Sequence, residues 1–460
     1  MRLKPHDVTF FMTSFSRLEI SRGSDIRESS YHLRMATSLA EPTAEQLSTQ
    51  TLEWLRENLP AGWIEAFDAG DTRRLAELRA GLDLDAWYVV MGEAGYTTPT
   101  WPAEYGAGLS LTPGQARSVN EVLGHYQVPR SFNILGIGMG GPTVLQWGTE
   151  EMKHKYLRKI ATNEQIWCQL FSEPGAGSDV AGLATRAERD GEEWIVNGQK
   201  VWTTLAHIAK IGMLVARSNP DLPKHKGLSY FLVDMQAPGV EVRPLVQITG
   251  DAEFNEVFFT DVRIPDADRV GPVGEGWGVA LTTLMNERIA LSGAGSIGGD
   301  VSGGGAVGQL IARHSPVADP LMRQRLARSY ISNQIIAWNN QRAAARRRSG
   351  GEAGPEGSIT KLQQALHNQE LQKLAVDLAG TDGMAWEGPS LTAGRRVDRV
   401  AAADTSAAGT VRGFLRSQAN TIEGGTSNIM RNILGERVLG LPKEPDVSRE
   451  VPWRDVPRSA

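Results

Sequence analysis

The chain has 460 residues, of which 41% are hydrophobic and 22% charged, and a formal net charge of −5. Such a length supports more than one buried core, the composition excludes a disordered chain, and the mild acidity excludes general attraction to nucleic acid or an anionic membrane. With Cys168 as the single cysteine, an internal disulfide and a cysteine-based zinc site are both excluded, and a reducing, cytoplasmic setting is expected.

Residues 1–40 read as a non-structural extension. "VTFFMTSF" is short for a signal core, Glu19, Asp25 and Glu28 follow it closely, and no period is visible to residue 34, so translation is expected to start at Met35. No apolar run anywhere approaches the roughly 20 residues that span a bilayer. Residues 41–165 carry helical patterning, with Leu47, Leu52, Leu55 and Leu59 near helical spacing in "TAEQLSTQTLEWLRENL". "TWPAEYGAGLSLTP" breaks that pattern as a structured loop. "GIGMGG" matches a dinucleotide fingerprint through Gly136, Gly138 and Gly141, but helical sequence precedes it and Pro142 follows, so it is read as a chance match.

Over residues 166–270 the segments become short, β-branched and aromatic, as in "QIWCQLF", "EWIVNGQKVW" and "NEVFFTDVRI". "VNGQ" at 196–199 predicts a hairpin turn. Helical patterning returns over 271–445. Long helices are expected at 320–348 and 358–379, the second capped by Ser358, with a final helix at 427–439 and a glycine-rich loop at 292–308. "RAAARRRSG" at 342–350 reads as a solvated helix end, and 446–460 as a tail. The fold class is therefore α+β: an N-terminal helical domain, a central β domain and a C-terminal four-helix-type bundle.

Two segments carry chemistry. "LFSEPGAGSDVAGL" (170–183) leaves a strand through Pro174, Gly175 and Gly177, where bare backbone can approach a ligand; a tight hairpin loop is the plainer alternative. "NGQKVWTTLA" (197–206) offers Trp202 with Thr203 and Thr204, suited to a flat heteroaromatic; Trp202 in a sheet core is the alternative.

Together with "WPAEYGAG", "FNEVFFTDVRIP", "GPVGEGW" and "IEGGTSNIMRNILGERVLGLP", these segments make residues 45–442 resemble the acyl-CoA dehydrogenase family. The resemblance implies FAD-dependent α,β-dehydrogenation of an acyl-CoA thioester. A carboxylate takes the α proton, the β hydrogen leaves as hydride to flavin N5, and hydrogen bonds hold the thioester oxygen. By position it implies Phe171, Ser172, Trp202, Thr204, Gly425 and Thr426 at the cofactor. It implies Ser178, Arg288 and Gly424 at the substrate, and an electron-transfer flavoprotein as acceptor.

In many members of that family the base directly precedes the Gly-Thr pair, where this chain has Gly424; Glu423 lies one residue earlier, and such a shift turns a side chain to the other side. Others place it on the first helix of the C-terminal domain, here "GWGVALTTLMNERIALSG". At about 100° per residue, Trp277, Leu281, Leu284 and Arg288 share an arc. Glu287 falls at its edge beside Ala280, Leu284 and Leu291, with Thr282 and Asn286 on the polar side. A carboxylate at the rim of an apolar face is partly desolvated, which suits a base. Helix-rim glutamates are common, and the family's Glu-Arg placement is what selects Glu287 as the catalytic base over Glu423.

The resemblance departs from the family at two places. The usual Arg-x-x-Phe-Gly segment is replaced by the glycine-rich stretch, and the usual Gln-x-x-Gly-Gly by "DLAGTDG", with Asp377 and Thr381 at the changed positions. These features resemble a bacterial subgroup that includes heteromers and enzymes for bulky, sterol-type side chains. The assembly is thus either a homo-oligomer (dimer or tetramer) or a heteromer with a paralogous subunit, and a non-catalytic subunit is the second functional reading. An oxygen-using flavoenzyme ranks lowest, because the chain ends soon after "LGLPKEP".

Overall fold

The computed structural model describes residues 41–292, 306–314, 319–349, 356–384, 395–396, 407–446 and 448–457. The described residues from Ala44 onward form one compact unit. The expected start at Met35 and most of the glycine-rich stretch, 293–305, lie outside the described residues.

Seven helices come first: α1 (Ala44–Asn58), α2 (Trp63–Asp68), α3 (Thr72–Ala80), α4 (Leu84–Glu93), α5 (Pro113–His125), α6 (Gly141–Trp147) and α7 (Glu150–Ala161). Leu47, Leu55 and Leu59 are buried with Trp63, Trp87 and Leu123 in a core of their own. "GIGMGG" follows no strand. Gly136–Gly140 form a π-helical turn running into α6, and a Cβ at Gly140 or Gly141 would run into the rings of Trp167 and Trp101. Those glycines serve packing.

The β domain comprises β1 (Trp167–Leu170), β2 (Arg186–Asp190), β3 (Glu193–Thr204), β4 (Ile211–Arg217), β5 (Leu228–Asp234), β6 (Val240–Leu245), β7 (Asp251–Ala252), β8 (Phe254–Pro265) and β9 (Arg269–Val270). The sheet order is β6-β8-β3-β2-β4-β5-β9, with β1 paired parallel to β4. Alternation along each strand sorts side chains between two cores. Trp167 and Phe171 face a core shared with α6, α7 and the first C-terminal helix, whereas Cys168 and Leu170 face one inside the β domain.

The hairpin turn expected at "VNGQ" is not there. β3 runs straight through it, and the β2–β3 turn falls at Gly191, with φ +62°. Gly198 instead sits at a register shift, where a Cβ would lie 2.4 Å from the Thr185 hydroxyl. Close strand approach selected this glycine.

The C-terminal part contains α8 (Gly276–Ser292), α9 (Ala306–His314), α10 (Pro320–Arg348), α11 (Glu356–Ala379), α12 (Ala407–Ser417) and α13 (Ser427–Arg437). Residues 306–308 of the expected glycine-rich loop therefore belong to α9. Ser358 does not cap α11, which starts two residues earlier; it is buried inside the helix. Among the described residues no helix is long and apolar enough to cross a membrane.

Candidate active site

The buried face of α8 overlaps the expected arc only in part: Trp277 and Leu284 pack against the core, but the most deeply buried residues are others. Leu281 is 40% exposed, while Val279, Ala280 and Thr283 are fully buried. The hydroxyls account for the difference, because each threonine of this helix finds a partner. Thr283 bonds Thr143 at 2.9 Å and the Tyr230 hydroxyl at 3.1 Å, and the Trp147 indole N–H donates to Thr282 at 3.0 Å. Gly276, Ala280, Thr283 and Glu287 follow i, i+4, i+7, i+11 spacing, so Glu287 continues this buried face. There Gln169 Nε2 of β1 donates to its Oε2 at 3.4 Å. Gln169 shares its strand face with Trp167 and Phe171, which aims it at α8. The Arg288 side chain lies outside the described residues.

Below the loop that leaves β1 lies a buried ion pair. Lys200 Nζ donates to Glu173 Oε1 at 2.8 Å and to the Phe171 carbonyl at 3.0 Å. Glu173 also accepts from the backbone N–H groups of Ala184 and Thr185 at 2.6 and 2.9 Å. Burial pushes the Glu173 pKa up, but Lys200 and these N–H donors outweigh it and leave the group below the ordinary carboxylate value. For Lys200 burial is the larger effect and lowers its pKa in spite of Glu173. The pair fixes the backbone at Phe171 and Ser172, whose carbonyl accepts from Val201 N–H at 2.9 Å. Ser178 stands exposed farther along the loop.

Trp202 is not in the sheet core. It lies on a bulge where the β3–β8 register shifts between Lys200 and Thr203, its φ is +61°, and it is 60% exposed. A non-glycine residue in this region costs of order 1–3 kcal/mol and marks a position held by its surroundings. Phe254 meets its ring edge-on at 5.9 Å. Beside it the Thr203 hydroxyl is buried with no hydrogen-bond partner among the described residues, and Gly175 and Gly177 have open space where a Cβ would stand. An exposed indole, hydroxyls at Ser172 and Thr204, and open glycine backbone fit a flat, polar-edged cofactor such as a flavin.

The third wall is the turn before α13. Gly424 and Gly425 have φ of +60° and +92°, and Thr426 caps α13 by accepting from Ile429 N–H at 3.2 Å. Glu423 is held by Arg416 at 2.9 and 3.1 Å and by Asn420 Nδ2 at 2.6 Å. Arg416 reaches Glu253 at 2.9 Å and lies 5.5 Å from the Phe254 ring. Trp202, Phe254, Arg416, Glu423 and Gly424 are thereby linked in one chain of contacts. Lys361 of α11 donates to the Asn420 carbonyl at 2.7 Å. Burial lowers its pKa, opposed by the Glu423 and Glu287 carboxylates, which places Lys361 in the field of both.

Sequence reasoning missed Gln169, the Glu173–Lys200 pair, and Arg416 with Lys361. Glu173 and Lys200 were visible as charges inside apolar motifs. Their pairing across the sheet was not.

Three family models match in order: the acyl-CoA dehydrogenase N-terminal domain over residues 72–164, the middle domain over 168–262 and the C-terminal domain over 274–439. The chain belongs to the acyl-CoA dehydrogenase family of flavoprotein oxidoreductases. It is 37% identical over 404 residues to the acyl-CoA dehydrogenase IpdE1 of Mycobacterium tuberculosis, covering 87% of this chain and 98% of the relative. It is also 37% identical over 365 residues to FadE34 of the same organism, covering 79% of this chain and 47% of that one. Among solved structures, the Tcur3481-Tcur3483 steroid ACAD superposes with a TM-score of 0.66 at 25% identity, covering 87% of this chain and 98% of the other. The ChsE4-ChsE5 complex of Mycobacterium tuberculosis gives 0.65 at 25% identity, covering 89% and 100%.

Proposed function

We propose that this chain dehydrogenates an acyl-CoA thioester to the trans-2-enoyl-CoA, with Glu287 as the base that removes the α proton. The observation that carries the choice of base is a contrast between two carboxylates. Glu287 continues the buried face of α8 toward β1 and meets the neutral amide of Gln169, whereas Glu423 is bound at both oxygens by Arg416 and Asn420. The grip of Arg416 and Asn420 makes Glu423 part of the scaffold of its turn, while Glu287 stands on the face of α8 turned to β1.

The residues that hold FAD are Phe171, Ser172, Trp202, Thr204, Gly425 and Thr426, and FAD when bound supplies the N5 acceptor for the β hydride. Backbone N–H at Gly424, presented by a left-handed turn, stabilises charge developing on the thioester oxygen. Ser178 and Arg288 contact the rest of the acyl-CoA. The electron acceptor is an electron-transfer flavoprotein. Anaerobic mixing with a panel of acyl-CoAs, including steroid-type side chains, tests the reading: flavin bleaching supports it, and no bleaching by any member contradicts it. Faster reoxidation by air than by the electron-transfer partner would favour an oxygen-using enzyme.

A heteromeric assembly is supported by two further observations. Asp377, at the position of the family's glutamine, is bound within this chain by Arg325 at 2.7 Å, and two structural neighbours are named as two-component complexes. If the chain needs a paralogous subunit, FAD is retained only on co-expression; FAD retained by the chain alone, in a single-species oligomer, supports the homo-oligomer.

A further inference from the structure

Residues beyond 439 lie outside the family match, yet 448–457 are docked on the β domain. Trp453 N–H donates to the Leu222 carbonyl at 2.9 Å and Arg454 N–H to that of Pro220 at 3.1 Å. Arg454 pairs with Asp221. The Trp453 indole N–H donates to the Gly182 carbonyl at 3.1 Å, and the Arg217 guanidinium stacks 4.6 Å from the indole ring. Arg217, itself buried, donates to the carbonyls of Ala181 at 2.6 Å and Leu183 at 3.2 Å. Three consecutive carbonyls after Ser178 are therefore held by one stacked Trp–Arg pair. At the other end of the same loop, Lys224 Nζ bonds Asp179 at 2.9 Å, in the field of Asp446.

We propose that Trp453 is a positioning residue for acyl-CoA binding: the strap formed by 448–457 clamps the 178–183 loop and the β4–β5 connection in the conformation that receives the substrate. The substrate role of this loop rests on the reading above; the clamp itself is independent of it. The indole hydrogen bond and the cation–π stack both depend on the Trp453 side chain. Their loss lets the loop open locally without unfolding the β domain.

The experiment compares the full-length protein with Trp453→Ala and Trp453→Phe, the latter keeping the stack but not the N–H. Trp453→Ala is expected to raise the acyl-CoA concentration for half-maximal anaerobic bleaching about tenfold, equivalent to about 1.4 kcal/mol. The limiting rate stays within about twofold and FAD content is unchanged; Trp453→Phe falls between. An unchanged half-saturation, or a limiting rate that falls in parallel, overturns the proposal. If Trp453→Ala does not fold, Trp453→Phe alone decides by the same criteria. Amide hydrogen exchange separates the two claims. If wild type bleaches with no acyl-CoA, the functional reading fails, and exchange at residues 179–183 still decides the clamp. Faster exchange in the variant upholds it, and unchanged exchange overturns it.

Discussion

Arg416 grips both oxygens of Glu423, at 3.1 and 2.9 Å, and its Nε donates to Glu253 at 2.9 Å. A residue of α12 thus joins the turn that carries Gly424 to the strand that carries Phe254. Burial works against the Arg416 charge, but Glu423 and Glu253 overcome it and raise its pKa. Glu423 is in this account a structural residue. Glu423→Gln should keep acyl-CoA bleaching within a few-fold of wild type and lower stability by about 1–3 kcal/mol, the cost of weakening a charge-assisted bond. Denaturant midpoints measured beside bleaching rates check this, and a Glu423→Gln protein that is stable but does not bleach would reverse the assignment.

Lys200 is fully buried, and Glu173 is 8% exposed. Removing one partner strands the other charge. Lys200→Met should cost about 3–5 kcal/mol and release FAD, while Lys200→Met with Glu173→Gln should recover at least half of that stability. Urea titration and flavin absorbance of the three proteins test it; equal loss in the single and double variants would show that the pair does not act as a unit.

Asp266 receives Arg269 Nε at 2.7 Å and Nη2 at 2.9 Å, and the Trp194 indole N–H at 2.7 Å. The Arg269 hydrogen bonds are the main cause that brings its pKa from 3.8 to about 2. Since the folded value is the lower one, this contribution is complete above pH 3.8 and is lost as pH falls toward 2. Wild type should therefore lose more stability than Asp266→Asn between about pH 4 and 2. Parallel curves from thermal melts across that range would exclude the role.

Trp202 combines a left-handed backbone with an exposed indole. Trp202→Gly should relieve the backbone strain and leave the melting temperature equal or higher, while slowing flavin reduction about tenfold or more. A Trp202→Gly protein that is less stable yet reduces its flavin normally would assign the residue to the scaffold.

Much of the fold was legible because periodicity is a local property. The bounds of α10 match the expected helix at both ends, and the switch from helices to strands is visible in the short β-branched segments. Local signals failed where a distant partner decided. Gly198 looked like a turn residue until Thr185 was found against it. Leu281 was expected on the buried arc of α8 but is exposed, and Thr283 is buried because Thr143 and Tyr230 supply partners for its hydroxyl. The same holds at the site. Glu287 was reached through the family's motif, but Gln169, 118 positions away in sequence, left no local trace, and neither did the tie from Arg416 to Glu253.

The most direct test compares wild type with Glu287→Gln, each loaded with FAD, by anaerobic bleaching with the best acyl-CoA of the panel. The account predicts normal FAD content in both and a loss of at least about 10²–10⁴-fold in the bleaching rate of the variant. Normal bleaching by Glu287→Gln would contradict it and return the search for the base to the other carboxylates of the site.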